Sequence, residues 1–147
     1  LLLLLVDVRD DFLCPSTAAE HKGALVDSVE LFLDVRPSAR VGTPAYEEGV
    51  YQITLYPGTP GSHPPFYNVK GEVDLTLNAE RTAEGYRLRC SIPFSALNGL
   101  SSAPDKFGFD LAVNSANASG ERIVQYAWAG DGDNWQNASN FREIWPV

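Results

Sequence analysis

Short runs of alternating apolar and polar residues recur along the chain, and turn-forming glycine, proline, asparagine or aspartate residues separate them. In the clearest run every second residue is apolar, which predicts that these residues share the inner face of a strand: Tyr86, Leu88, Cys90 and Ile92. The full set of predicted strands is Leu1–Val8, Ser28–Val35, Val50–Tyr56, Glu72–Asn78, Gly85–Ile92, Phe107–Asn114 and Arg122–Trp128. One helical turn is predicted at Phe94–Leu100, after Pro93.

Seven or more short strands predict an all-β fold, and we interpret residues 1–147 as a single antiparallel β-sandwich of the jelly-roll type. A chain of 147 residues is the size of one domain. The leucine run at the start passes directly into Val6 and Asp7, which favours a buried strand over a signal peptide. Because the chain starts inside this strand, we expect it to be a fragment of a longer protein. No run approaches the roughly 20 apolar residues of a membrane helix.

The charge balance narrows the choice of partners. The chain has 11 lysines and arginines against 19 aspartates and glutamates, which gives a formal net charge of −8. Nucleic acids and anionic membranes attract clustered basic residues, so neither is an expected partner. A neutral ligand or a cation fits this balance better.

Two tryptophans flank a loop of small and acidic residues near the end of the chain. Trp128 and Trp135 enclose Ala129–Asn134, and such a pair is either a ligand platform or the lid of a core. Strict alternation along Arg122–Trp128 places Arg122 and Trp128 on one face and Gln125 on the other. Asn114 and Arg122 either tie their hairpin together or contact a ligand. The pattern leaves these alternatives open.

The carboxylates and the cysteines each have two interpretations. Asp10 lies at the end of the first predicted strand and Asp34 lies along the second, and hard oxygen ligands that converge from strand ends suit calcium. A solvated acidic rim is the alternative. Cys14 and Cys90 form either a bridge across an exported domain or two buried thiols. A glycosidase needs two carboxylates that face each other across a cleft, for which a sandwich of this length has little room, so we expect no catalytic activity.

Several segments, in this order and spacing, resemble family 9 carbohydrate-binding modules, which are sugar-binding sandwiches attached to xylanases and related secreted bacterial enzymes. The resembling segments are residues 27–34 (DSVELFLD), Tyr51-Gln52, residues 107–114 (FGFDLAVN), Gly120-Glu121-Arg122, Trp135 and Phe141. The resemblance spans almost the whole chain. It implies a non-catalytic module with a polysaccharide as ligand, a neighbouring catalytic domain in the parent chain and an extracellular location. It also implies that the family's domain begins some strands before Leu1.

The resemblance assigns roles to individual residues. Trp135 matches the second of two tryptophans that sandwich a sugar in the family, whereas Ala24 stands at the first. Glu30 matches a glutamate that hydrogen-bonds sugar hydroxyls, and Thr54 stands where the family has an arginine. Asp10 and Asp34 match acidic positions near the family's structural calcium. The expected ligand-binding residues are Trp135, Glu30, Trp128, Asn114, Gln52 and Arg122.

Two interpretations of function remain at this stage. In the first, Trp135 and polar side chains bind a polysaccharide and target an attached enzyme to it. In the second, Ala24 and Thr54 mark a lost sugar site, and the sandwich has a structural or docking role in a larger secreted enzyme. Other exposed aromatic residues, such as Tyr126 or those around His63–Tyr67, are candidates to replace the missing tryptophan in the first case.

Overall fold

The computed structural model describes residues 1–14, 26–59 and 61–146, and it folds them into two antiparallel sheets that pack face to face. The nine strands are β1 (Leu2–Arg9), β2 (Ser28–Asp34), β3 (Val50–Tyr56), β4 (Phe66–Lys70), β5 (Thr76–Thr82), β6 (Gly85–Ile92), β7 (Phe107–Ala116), β8 (Arg122–Ala127) and β9 (Arg142–Ile144). Two single-turn 3₁₀ helices span Phe94–Ala96 and Ala138–Asn140. The predicted all-β sandwich is therefore confirmed. No helix among the described residues is long and apolar enough to cross a membrane.

The two sheets differ in width. The smaller sheet has the strand order β1-β6-β5, and the larger has the order β4-β3-β2-β7-β8. Strand β9 pairs with the first residues of β7, on the edge that β8 occupies further along. Because β2 and β7 lie at the centre of the larger sheet, side chains on their outer face are surrounded by neighbouring strands on both sides.

The main core lies between the sheets and confirms the predicted alternation in β6. Tyr86 and Leu88 are completely buried there, and Cys90 and Ile92 are nearly so. They pack against the inward residues of the larger sheet, such as Leu31 and Ile53. Cys14 lies in a separate small cluster with Val26, Tyr56 and Ala116, so the two cysteines do not share one site.

A tight turn joins β5 to β6 and packs closely against the end of β1. Thr82 pairs with Gly85, which leaves a connection of two residues. Gly85 has φ of +153°, and a Cβ built on it would lie 2.1 Å from the carbonyl oxygen of Val8 on β1. Glycine is therefore required where β1 crosses this turn.

Most predicted strands agree with the structure to within two residues, but the predicted set of strands differs from the observed one in three places. Strands β4 and β9 were not predicted, and the strand predicted at Glu72–Asn78 begins at Thr76 instead. The predicted helical turn at Phe94–Leu100 is shorter, with a 3₁₀ helix over its first three residues.

Candidate functional site

A buried glutamate lies at the centre of the outer face of the larger sheet. Glu30 on β2 is 2% exposed. The side-chain amides of Asn114 and Gln125 donate to its Oε1, each at 2.8 Å, and the amide of Gln52 donates to Oε2 at 2.7 Å. Three neighbouring strands thus fix one carboxylate in place. With a single protein donor on Oε2, that oxygen retains capacity to accept a hydrogen bond from a ligand.

A β-bulge brings Arg122 to the same face as Glu30. Ser115 pairs with Val124, but Ala116 pairs with Arg122, so Ile123 is the extra residue in β8. The bulge breaks the alternation and turns Arg122 toward the face that carries Gln125. The prediction that these two residues occupy opposite faces is therefore wrong. The guanidinium of Arg122 donates to Oδ1 of Asn114 at 3.3 Å.

A loop that follows β8 forms the wall of the site, and the buried carboxylate of Asp110 organises it. Oδ1 of Asp110 accepts from the backbone N–H of Ala129 at 3.0 Å, and Oδ2 accepts from the N–H of Gly130 at 2.6 Å. The side-chain amide of Asn134 donates to the same Oδ2, also at 2.6 Å. A Cβ on Gly130 would lie 2.0 Å from Oδ1 of Asn134, so a larger residue here would displace the Asn134 amide that bonds to Asp110.

The loop and the sheet enclose a cavity of about 230 Å³ beside Trp135. Its lining residues are Glu30, Phe32, Gln52, Ala112, Arg122, Gln125, Asp131, Gly132, Asn134 and Trp135. Trp135 is 51% exposed, so part of this residue is accessible to a ligand. The cavity combines an apolar ring with fixed hydrogen-bonding groups, and it lies at the centre of the sheet.

Trp128 lies on the opposite face of the sheet and does not line this cavity. Its backbone N–H bonds to the carbonyl of Leu111, and its ring contacts Phe109 edge-on at 5.7 Å between centroids. Phe109 packs against the main core. Trp128 therefore does not lie with the other predicted ligand residues, because it follows Ala127 at the end of β8 and its side chain is directed away from Glu30. Tyr126 pairs with Val113 on the same inner face.

Of the predicted ligand residues, five therefore lie together: Trp135, Glu30, Gln52 and Arg122 line the cavity, and Asn114 orients Glu30 and Arg122 behind it. Thr54 is buried on β3, next to Glu30 in the register, and presents no cation. Ala24 lies outside the described residues. Gln125 and Asn134 were not predicted as site residues. The bulge in β8 and the contact of Asn134 with Asp110 leave no periodic pattern in the sequence.

The two predicted calcium ligands lie far apart. Both oxygens of Asp34 are held by Arg36, whose Nε and Nη2 donate at 2.8 and 2.7 Å. Asp10 instead accepts from the hydroxyl of Ser115, near the other end of β2, about 20 Å away at ~3.3 Å per strand residue. One ion therefore cannot bind both side chains, and calcium binding at either of them stays a prediction. The described residues contain no group of three His, Cys, Asp or Glu side chains placed to hold a metal.

Asp27 is a further buried carboxylate, and it lies at the Asp10 end of the sheet. It is fully buried and accepts hydrogen bonds from the backbone N–H groups of Cys14 and Ala116. Burial raises the pKa of Asp27 to about 6, and the negative charge of Asp10 adds to this effect. Arg36 neutralises Asp34 at the opposite end of β2, whereas Asp10 and Asp27 place two carboxylates close to each other.

Comparison with known proteins decides the family. The model of the carbohydrate family 9 binding domain-like family matches residues 1–145. The chain belongs to carbohydrate-binding module family 9. This family consists of non-catalytic, carbohydrate-binding modules. Among curated proteins, the family 9 chain is 30% identical over 146 residues to "Exoglucanase XynX" of Acetivibrio thermocellus, covering 97% of this chain and 12% of that protein.

Two solved structures share the fold of the family 9 chain. Both are family 9 modules from Caldicellulosiruptor kristjanssonii at 24% identity, one in complex with cellotriose and one with glucose. The first has a TM-score of 0.75 and covers 97% of this chain and 67% of that chain. The second has a TM-score of 0.68, with coverages of 90% and 65%.

Proposed function

We propose that the chain binds a polysaccharide at the cavity beside Trp135 and thereby anchors an attached enzyme to its substrate. The observation that carries this proposal is the carboxylate of Glu30, which three side-chain amides fix next to a half-exposed indole. A protein seldom buries a carboxylate among neutral amides unless the arrangement serves a ligand or a network.

The chemistry of a pyranose matches this cavity. A sugar ring has an apolar C–H face that an indole covers, and its edge carries hydroxyl groups that need polar partners. Glu30 accepts from hydroxyl groups, while Arg122 and Asn134 donate to oxygen atoms. We therefore expect the sugar ring to stack on Trp135 with its hydroxyl edge toward Glu30.

The relatives suggest which glycan to try first. The solved family 9 modules were obtained with cellotriose and with glucose, and the curated relative is named an exoglucanase. We expect a β-glucan or a xylan as ligand. The chain spans about an eighth of that relative, so the attached catalytic domain and secretion from the cell are part of the proposal.

Affinity electrophoresis tests the proposal with two matched tryptophan variants. Wild-type protein, Trp135→Ala and Trp128→Ala run in gels that contain β-glucan, xylan, mannan or pectin. Loss of one stacking aromatic costs about 1–3 kcal/mol, taking base stacking as the analogy, so Trp135→Ala should weaken binding by about 10- to 100-fold. Trp128→Ala is the control: it removes a tryptophan side chain from the opposite face of the sheet, and glycan should retard it as much as wild type.

A structural or docking role is the alternative, and Thr54 favours it because this position on β3 presents no cation beside Glu30. Under this alternative no glycan retards the wild type, and Trp135 packs against a neighbouring domain.

Thermal unfolding with and without a calcium chelator tests whether the domain binds calcium. If calcium at Asp10 and Asp27 stabilises the domain, the chelator lowers its melting temperature, and Asp10→Asn abolishes that response.

A further inference from the structure

The side chain of Lys70 connects Trp135 to the apolar residues beneath the cavity. Lys70 ends β4 and pairs with Gln52, so it lies on the cavity face of the sheet. Its Nζ lies 4.2 Å above the centre of the Tyr46 ring and donates to the backbone carbonyl of Trp135 at 3.4 Å. We propose that Lys70, held by Tyr46, is a positioning residue that sets the orientation of the Trp135 indole. This inference rests on the proposed function.

The other contacts of the loop leave this task to Lys70. Asp110 holds the start of the loop through Ala129, Gly130 and Asn134, but it does not bond to Trp135. Among the described residues, Lys70 is the side chain that hydrogen-bonds to Trp135 itself. Lys70 forms no ion pair with a described carboxylate, whereas Lys106 pairs with Glu143 at 2.9 Å. Its ammonium is therefore directed by the ring and the carbonyl alone.

Tyr46 is a fixed support for this ammonium. Its ring packs against the cluster that contains Phe32, whose side chain lines the floor of the cavity. Its hydroxyl is buried and has no hydrogen-bond partner in the described structure. Burial and the negative charge of Glu30 both raise the pKa of Tyr46. Because the hydroxyl makes no hydrogen bond in the described structure, the polar contact that Tyr46 provides is the one between its ring face and Lys70.

The expected effect of removing the contact is modest and specific. A cation–π contact at a partly exposed site contributes about 0.5–1 kcal/mol, which corresponds to a two- to fivefold change in affinity. Because Lys70 is exposed, its replacement should shift the midpoint of urea unfolding only slightly. Affinity should therefore fall without a matching loss of stability.

The test uses a protein in which Trp135 is the only tryptophan, made by the substitutions Trp128→Phe and Trp145→Phe. In this background we would compare Lys70→Met, Lys70→Arg, Tyr46→Leu and the double variant Lys70→Met/Tyr46→Leu, with Lys106→Met as the matched control. The measurements are the fluorescence anisotropy and acrylamide quenching of Trp135 without ligand, the affinity for the glycan that retards the wild type, and urea unfolding.

The proposal predicts lower anisotropy, faster quenching and a two- to fivefold loss of affinity for Lys70→Met, with substantial rescue in Lys70→Arg. Tyr46→Leu should lower anisotropy to the same extent, and the double variant should add nothing. Lys106→Met should match the background protein. If Lys70→Met leaves both anisotropy and quenching unchanged, the proposal is wrong. If no glycan binds, the proposed function fails, and the two ligand-free measurements still decide whether Lys70 positions the indole.

Discussion

Replacing Asp110 with asparagine should release the loop that carries Trp135. The carboxylate receives four hydrogen bonds, two on each oxygen, from the N–H groups of Leu111, Ala129 and Gly130 and from the amide of Asn134. An asparagine retains one acceptor oxygen. In either orientation of its amide, the NH₂ group faces two donors that previously had an acceptor.

The size of the effect follows from those two lost bonds. A hydrogen bond to a charged group contributes about 1.5–3 kcal/mol, so two bonds give about 3–6 kcal/mol if the loop stays in place. The loop can open instead, because Asp133 and Trp135 are exposed. We therefore expect a loss near the lower bound, about 3 kcal/mol, which lowers the melting temperature by roughly 6–12 °C.

Urea unfolding and glycan affinity measure the two consequences of Asp110→Asn. Affinity should fall by tenfold or more, since Asn134 and Trp135 lose their fixed positions. Asp105→Asn is the control, because Asp105 is exposed and should change stability by less than about 0.5 kcal/mol. Equal stability and affinity of Asp110→Asn and wild type would refute the argument that this carboxylate organises the site.

Three further predictions follow from the structure. Gly130→Ala forces a Cβ against Asn134 and should cost about 1–3 kcal/mol of stability in urea unfolding, whereas Gly132→Ala, where nothing lies within 4 Å, should be neutral; equal losses would contradict the packing argument. Glu30→Gln sets an amide against buried donors and should lower glycan affinity at least tenfold in calorimetric titration, and an unchanged affinity would exclude Glu30 from the site. The raised pKa of Asp27 makes its stabilising contribution complete below about pH 3.8 and lost as pH rises through about 6. We would measure the free energy of unfolding of wild type and Asp27→Asn at pH 4 and pH 7.5, with chelator present. The stability of Asp27→Asn relative to wild type should be higher at pH 7.5 than at pH 4 by up to about 3 kcal/mol. If this relative stability is the same at both pH values, the pKa of Asp27 is not raised.

The fold could be predicted well from the alternation of apolar and polar residues, and the errors in the predicted strands have physical causes. Val73, Leu75 and Leu77 keep the same alternation, yet the ladder with β6 starts only at Thr76, opposite Ser91. A pattern records which face is buried but not where a partner strand ends. Strand β4 is an edge strand whose side chains are partly exposed on both faces, so it has no alternation to detect.

The site was harder to predict than the fold, because its geometry depends on one irregular residue. Glu30 and Gln52 followed from the family resemblance, and both line the cavity. Strict alternation in β8 gave the wrong face for Arg122 relative to Gln125, since the bulge at Ile123 changes the phase. The roles of Asp110 and Asn134 depend on contacts across 24 residues, which no local pattern in one sequence reveals.

The most direct test of the account is a nuclear magnetic resonance titration with an oligosaccharide of the glycan that retards the protein. The indole N–H signal of Trp135 and the side-chain amide signals of Gln52, Asn114 and Gln125 should shift together with one dissociation constant. The indole signals of Trp128 and Trp145 should stay in place. Shifts at Trp128 with an unmoved Trp135 would place the ligand on the opposite face and contradict the account.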